Sequence, residues 1–409
     1  MSSTDAASLV DLVDQDPFDY YVGLREQGDV VWDPGMKAWV GTTYAACREM
    51  FRYDQVTLVR ADTLVGGQGY EQLHGKRHIT LLQGPVHRRF HRWWVGAMSP
   101  KVSEKWRVDV VRPIIQRYIA GVRANSESEL MEDFARKVTI RVIAAVMGLP
   151  WEDDSWIQNC RQHMDGISDY INAAYFAEDD KTFQAARAAH EGLNDMLMPF
   201  INARRDGVGD DLIATLWRDG PGIFDDWSAE DMSSTIRTMF FAGTDTTSDA
   251  LSHAFFLLLS TDGLMEKLVE GGEPAVWRFA EEALRLFGAV QFRIRVATED
   301  FEVMGTKIKK GQFVVPLNAS ANRDSSIFDD PDEVRLDRPN PRDHYAFNIG
   351  ARLCAGAALA RVEIQEGVLA VLGELPNLRT DSTKEAVGYL GFNLRTHEPI
   401  HVRHDGCPV

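Results

Sequence analysis

The sequence predicts a mainly α protein with small β-sheets. Three observations carry that class. Apolar residues recur at three- and four-residue spacing over six long stretches. β-prone runs are few, short and broken by turn residues. No repeat, low-complexity linker or composition shift divides the 409 residues. A single domain spanning 1–409 is therefore expected, although a prior of ~150 residues per domain would allow two or three.

The elements follow in chain order. Val30 to Gly41, VVWDPGMKAWVG, places two β-prone runs around an Asp-Pro-Gly turn, the composition of a hairpin. Helical spacing covers 104–123, 129–148 and 184–204. The stretch 228–260 opens on Ser228 with Asp231 three residues on, a capping-box variant. Another helix is expected over 274–287. Phe301 to Asn318, FEVMGTKIKKGQFVVPLN, is hairpin-like and broken by Gly305 and Gly311. A last helix covers 355–375, and weak alternation from Ala386 to Val402 adds strands.

Composition removes several function classes. Lys and Arg number 44 against 61 Asp and Glu, a formal charge of −17. That balance argues against nucleic-acid binding, which needs a basic footprint. The longest apolar runs, such as Ala254 to Leu259, fall far short of the ~20 residues of a membrane span. The opening MSSTDAASLVDLVDQD is acidic, without a basic-then-apolar targeting pattern, so a cytoplasmic location is expected. Cys47, Cys160, Cys354 and Cys407 lie far apart, which excludes a CxxC knuckle and a dense disulfide scaffold. Any chemically important cysteine acts alone.

Cys354 is the one that does not read as structural. It stands in FNIGARLCAGAALARVEI, Phe347 to Ile364, just before a long small-residue and apolar helix. A thiolate at a helix N-terminus is stabilised by free backbone N–H groups and the positive end of the macrodipole. Gly350 and Gly356 allow backbone to approach a flat partner, and Arg352 supplies a cation for an anionic group on it. A shielded lone thiolate is what an axial iron ligand needs.

The composite Phe-x-x-Gly-x-Arg-x-Cys-x-Gly resembles the haem-binding signature of the cytochrome P450 family, the haem-thiolate monooxygenases. It departs at Asn348, where that family usually has Gly or Ser. The resemblance implies haem b as cofactor, with Cys354 as its metal ligand and Arg352 beside it.

Four further motifs stand in the same order. Within 228–260, Gly243, Thr244, Asp245, Thr246 and Thr247 are modest or poor helix formers set between apolar stretches. Their hydroxyls can bond the preceding turn's carbonyls and open a gap for a ligand and water. A bare Asp-Thr-Thr would read as a solvent-facing turn. Ala242 to Thr247 resembles the family's oxygen-activation motif, which implies Thr246 and Asp245 as the catalytic pair for proton delivery in O–O cleavage. Glu282 and Arg285 share a helical face. By resemblance they form a buried structural pair completed by Arg338, with Arg323 as runner-up. Arg295 resembles the strand arginine that reaches a haem propionate. Arg293 shares its strand face and could serve the propionate or the substrate pocket. In LLQGPVHRRFHRWW, Leu81 to Trp94, His87 matches a propionate donor and His91 stands where the family usually has Arg. Arg88, Arg89 and Arg92 lie close enough to compensate, and Arg88 is the better candidate for a ferredoxin-facing surface.

The resemblance runs from about residue 80 to residue 395. It implies a triangular helical domain enclosing haem, and a monooxygenase that hydroxylates or oxidatively O-dealkylates a small apolar substrate. No flavin, nicotinamide or iron–sulfur motif is present, so electrons come from outside the chain; the resemblance to soluble bacterial members implies a ferredoxin and its reductase, with a flavodoxin as the alternative. Helical geometry proposes Thr238, Phe241 and Ala242 for the substrate pocket, with Val290 and Phe292 before Arg295 and Leu390 and Phe392 in the tail. These aromatics suggest a small arene or a terpenoid. A monomer is expected. The alternatives are a peroxide-driven or non-oxygenating haem-thiolate enzyme and a non-catalytic haem-binding sensor. The Asp245–Thr246 pair favours oxygen activation.

Overall fold

Residues 8–54, 57–60, 75, 77–173 and 180–405 are described by a computed structural model. Cys407 lies outside them. The helices are α1 (Phe18–Gln27), α2 (Tyr44–Tyr53), α3 (Gly84–Ala97), α4 (Pro100–Trp106), α5 (Arg112–Arg123), α6 (Arg136–Met147), α7 (Asp154–Ala173), α8 (Asp180–Ala203), α9 (Leu212–Asp219), α10 (Ala229–Ser260), α11 (Leu264–Leu286), α12 (Asn318–Ala321) and α13 (Ala357–Glu374).

The strands are short: β1 (Val30–Asp33), β2 (Ala38–Gly41), β3 (Leu58–Arg60), β4 (Glu127–Glu129), β5 (Arg295–Ala297), β6 (Phe301–Val303), β7 (Thr306–Ile308), β8 (Phe313–Pro316), β9 (Arg379–Thr380), β10 (Gly388–Gly391), β11 (Arg395–Glu398) and β12 (His401–Arg403). The largest sheet runs β1-β2-β8-β5-β3. The Val30–Gly41 hairpin starts it, pairing Val30 with Gly41. β2 continues in parallel to β8, and β5 sets Arg295 opposite Val314. That register holds Arg295 inside the sheet, 4% exposed.

α10 is the axis of the molecule. Ser228 Oγ accepts from Asp231 N–H and the Asp231 carboxylate accepts from Ser228 N–H, a complete capping box. Such a cap contributes about 1 kcal/mol. α10 packs on α6, α8, α11, α13 and β11. α13 is buried on nearly every side, through Leu359, Val362, Ile364, Val368 and Val371, and its buried Glu366 is paired with Arg107 and Arg112.

Two segments differ from a simple helical reading for identifiable reasons. The 104–123 periodicity contains a π-helical stretch at Arg107–Val111. Pro113, just inside α5, has no N–H to give and its ring crowds the carbonyl four residues back. The wider turn before it absorbs both problems. The 274–287 helix begins earlier, at Leu264, but Gly272 breaks it with φ 61° and ψ −156°. Pro274 then opens the second half from a position where its missing N–H costs little.

Candidate functional site: a thiol-walled cavity

A cavity of about 430 Å³ lies between α10 and the loop leading into α13. Cys354 is on one wall and Thr246 on the other. The cysteine loop is a tight turn closed by Cys354 N–H donating to Phe347 C=O at 2.8 Å. Asn348 and Gly350 both sit in the left-handed region, at φ 61° and φ 68°. Asn is the non-glycine residue that tolerates this conformation best, and its Oδ1 also accepts Ile349 N–H at 2.8 Å. The departure from Gly or Ser at position 348 therefore keeps the loop's backbone shape. Burial raises the Cys354 thiol's pKa, while the N–H groups of Gly356 and Ala357 and the charges of Arg293 and Arg361 pull it back. Among the described cysteines, Cys47 and Cys160 are buried in the core, and the accessible surface of Cys354 faces the enclosed cavity rather than the outside of the protein.

One end of the cavity is cationic. Arg293, Arg295 and Arg352 line it. Arg295 is held by Asp54, with Nη2 and Nε donating to Oδ2 at 2.7 and 3.0 Å. Arg352 Nε lies 3.4 Å from Asp54 Oδ1, and its Nη2 donates to Leu82 C=O at 3.0 Å. His87 also lines this end, 1% exposed, and its Nδ1 has no hydrogen-bond partner. Burial, then the Arg352 charge, lowers its pKa to about 4, so the ring is neutral near pH 7. His91 stacks on His87 with centroids 5.3 Å apart, and its Nε2 meets Leu353 C=O at 2.7 Å. Its Nε2 is thus engaged by the cysteine loop, while the residue itself lines the same cavity as His87. Arg88, Arg89 and Arg92 point outward and are exposed.

The opposite wall contains Thr238, Phe241, Ala242 and Thr246. Thr246 Oγ1 donates to Ala242 C=O at 2.6 Å while α10 stays continuous. Gly243 is small for a packing reason: a Cβ there would lie 2.3 Å from Ile143 Cδ1 on α6. Asp245 is one helical step from Thr246 and faces the other way. It lines a second, polar cavity of about 350 Å³ with Asp249, Ser168 and Arg136. Its carboxylate accepts from Ser168 Oγ at 2.8 Å. Burial raises the pKa of Asp245, and it raises Asp249 well above the usual carboxylate range, with Asp245 adding to it.

The tail corrects part of the expected pocket. Val290 and Phe292 line the large cavity, but Leu390 and Phe392 do not; Asn393 and Leu394 do. Gly391, at φ 98°, turns the chain after β10 and breaks the alternation. Leu390 then faces the polar cavity. Phe392 packs edge-on against Phe292 at 5.2 Å, on the side away from the cavity. Leu394 bridges Val290.

Glu282, Arg285 and Arg338 meet away from the cavity as a buried cluster. Arg285 donates to both Glu282 oxygens at 2.8 and 2.9 Å. Arg338 Nε donates to the same two at 2.9 and 3.0 Å. Arg323 is elsewhere, paired with Asp332 and stacked over the Phe18 ring at 3.7 Å.

Asp54, Asn393, Leu394 and Glu363 are among the residues at or beside the cavity that the sequence did not point to. Asp54 has its partner 241 residues away, so no local pattern announces it. Asn393 and Leu394 depend on the turn at Gly391. Glu363 had a readable signal, an acid inside the apolar run of α13. It lines the cavity at 1% exposure, and burial raises its pKa well above the usual range.

A helical chain that walls a cavity with one accessible thiol, cations at one end and a threonine opposite is built as a haem-thiolate protein. The sequence comparison agrees: the profile of the family described as Cytochrome P450 matches residues 30–375, and this chain belongs to that family. It is 29% identical to Cytochrome P450 109 of Bacillus spizizenii, over 85% of this chain and 81% of that one. It is 27% identical to the Biotin biosynthesis cytochrome P450 of Bacillus subtilis, over 89% and 90%. In fold it resembles the crystal structure of P450BioI in complex with hexadec-9Z-enoic acid ligated acyl carrier protein, at TM-score 0.84 and 24% identity, covering 95% of this chain and 99% of that one. CYP109E1 from Bacillus megaterium in complex with testosterone matches at TM-score 0.81 and 23% identity, covering 95% and 99%. The chain is thus an oxidoreductase of the haem-binding cytochrome P450 monooxygenase family. Among the described residues no helix is long and apolar enough to cross a membrane.

The residues present fit haem b. A soft sulfur donor suits iron, and the cationic end offers guanidinium groups to the propionates, with His87 Nδ1 beside it lacking a hydrogen bond among the described residues.

Proposed function

We propose that this chain is a monooxygenase that inserts one atom of O2 into a small apolar organic substrate, by hydroxylation or oxidative O-dealkylation. In this reading Cys354 Sγ holds the haem iron, Arg295 and Arg352 hold the propionates, and neutral His87 donates one N–H. Bound there, haem supplies the redox-active iron at which O2 is reduced and split. Electrons come from a ferredoxin and ferredoxin reductase. The chain acts as one domain over residues 1–409, as a cytoplasmic monomer.

The observation that carries the reading is the placement of Thr246 and Asp245 on two sides of α10. Thr246 Oγ1 faces the large cavity, where its hydroxyl is available to a reacting oxygen. Asp245 faces the polar cavity, where burial raises its pKa and Ser168 Oγ anchors its carboxylate. A carboxyl with a raised pKa holds and releases a proton closer to neutral pH, as a relay requires. The second cavity surrounds that carboxyl with Arg136, Ser168, Asp249 and Glu398, while the apolar wall of Phe241, Ala242 and Val290 excludes water from the substrate. The apolar lining and the volume suit a compact arene or terpenoid.

The test is coupling. With NADH, ferredoxin, reductase and a substrate found by haem spin-state shift, Thr246→Ala should lower product formed per NADH consumed by roughly tenfold or more. Unchanged coupling contradicts the relay. Product formed with peroxide alone, and none with the electron donors, contradicts oxygen activation.

A further inference from the structure

Asp54 is the residue that the reading of the cavity as a haem site leaves unused. It follows the last turn of α2 and is 6% exposed. Its Oδ2 takes two donors from Arg295, at 2.7 and 3.0 Å. Its Oδ1 accepts no hydrogen bond and has Arg352 Nε at 3.4 Å. One carboxylate therefore stands between two cavity-lining arginines that come from different parts of the fold, β5 and the cysteine loop. Burying two guanidinium groups side by side without an anion is expensive.

Arg293 also lines the cavity, and His87 adds no charge near pH 7, because burial holds its pKa at about 4.

Resting on the haem-site reading, we propose that Asp54 is a built-in third carboxylate of the propionate end and acts as a positioning residue. It holds Arg295 and Arg352 in register before haem enters. Once haem is bound, the negative charge of Asp54 offsets part of the guanidinium charge beside the propionates. Without it the haem edge would carry one surplus positive charge. That surplus would favour the reduced iron, which is one unit less positive, and would grip the propionates harder.

The experiment uses holoprotein with Asp54→Asn, which keeps the shape and removes the charge. The haem midpoint potential should rise, and haem release to apomyoglobin should slow by about tenfold, the effect expected of one charge removed a few Å from a carboxylate. Wild-type values for both overturn the proposal. Arg295→Gln provides a second background, in which Asp54 has lost its nearest cation. Adding D54N to R295Q should again raise the potential and slow release, and no change between R295Q and the double variant overturns the proposal even if D54N alone does not fold. The reduced CO spectrum separates the two readings. A wild-type protein that takes up no haem through Cys354 defeats the site itself. A normal thiolate-type spectrum with an unmoved potential defeats only the role of Asp54.

Discussion

Two buried charge clusters use the same chemistry to opposite ends. In the Glu282 cluster both carboxylate oxygens accept from both arginines, and Arg285 and Arg338 direct their remaining N–H groups to backbone carbonyls of the loop 322–333. All three side chains are at most 2% exposed. In the Asp54 cluster one carboxylate oxygen is filled and the other accepts no hydrogen bond, and both arginines line a cavity. A saturated cluster closes a scaffold; one whose arginines line a cavity turns guanidinium groups toward an anion that enters it. Identical residue types thus acquire different roles from how many of their bonds the fold completes.

That contrast sets the order of expected effects. Glu282→Ala should be the most damaging change. It leaves two buried guanidinium groups without an anion, a loss of roughly 3–5 kcal/mol, and little folded holoprotein should accumulate. Measured by thermal unfolding, a variant as stable as the parent would show that the saturated cluster is dispensable. Asp54→Asn should be far milder in stability, because the propionates replace part of the missing negative charge.

Acid separates the clusters from the histidines. Burial alone would raise the Glu282 carboxyl, but Arg285 and Arg338 overcome it and hold the pKa below the usual range. Its contribution is present above the unfolded-state pKa and is lost only as pH falls through the lowered folded value. The buried imidazoles fail earlier. His253 and His397 meet Nδ1 to Nδ1 at 2.8 Å, and burial lowers their pKa values to about 3 and about 2. His190 is lowered to about 3, again by burial. In the unfolded chain each binds a proton below about pH 6.5, while in the fold each stays neutral. The unfolded state then holds more protons, so stability falls as pH drops below about 6.5. The slope approaches 1.4 kcal/mol per pH unit for each imidazole, to order of magnitude. The imidazoles thus pull the thermal midpoint down between pH 7 and pH 5, while Asp249 and Glu363, whose pKa burial raises, act in the opposite sense. His190→Gln should therefore make the midpoint fall less, or rise more, from pH 7 to pH 5 than in the parent, and an unchanged pH dependence would mean that His190 does not stay neutral in the fold.

The same comparison shows what was legible in the sequence. α10 was readable from its cap and its periodicity, because both signals are local. α1, α2, α7 and α9 were missed. α1, α2 and α9 are ten residues or fewer, and such short helices are held by packing of side chains such as Tyr21, Leu24, Met50 and Phe51 more than by their own pattern; α7, at 20 residues, has no such reason. The Cys354 loop was legible because its ligand, glycines and cation are neighbours in the chain. Glu282 and Arg285 are three residues apart, but Arg338 is 56 residues from Glu282 and was reached only through resemblance. Asp54 had neither proximity nor resemblance. Leu390 and Phe392 were misplaced because a single left-handed glycine cancels strand alternation, which a reading of the tail as a regular strand cannot register.

The central claim is that the cavity is a haem site whose axial ligand is Cys354. The reduced CO difference spectrum of purified Cys354→Ala beside the parent tests it most directly. The parent should show the thiolate-type Soret band, and the variant should lose it entirely, whether or not some haem is retained. A Cys354→Ala protein that keeps the thiolate-type band would contradict the assignment.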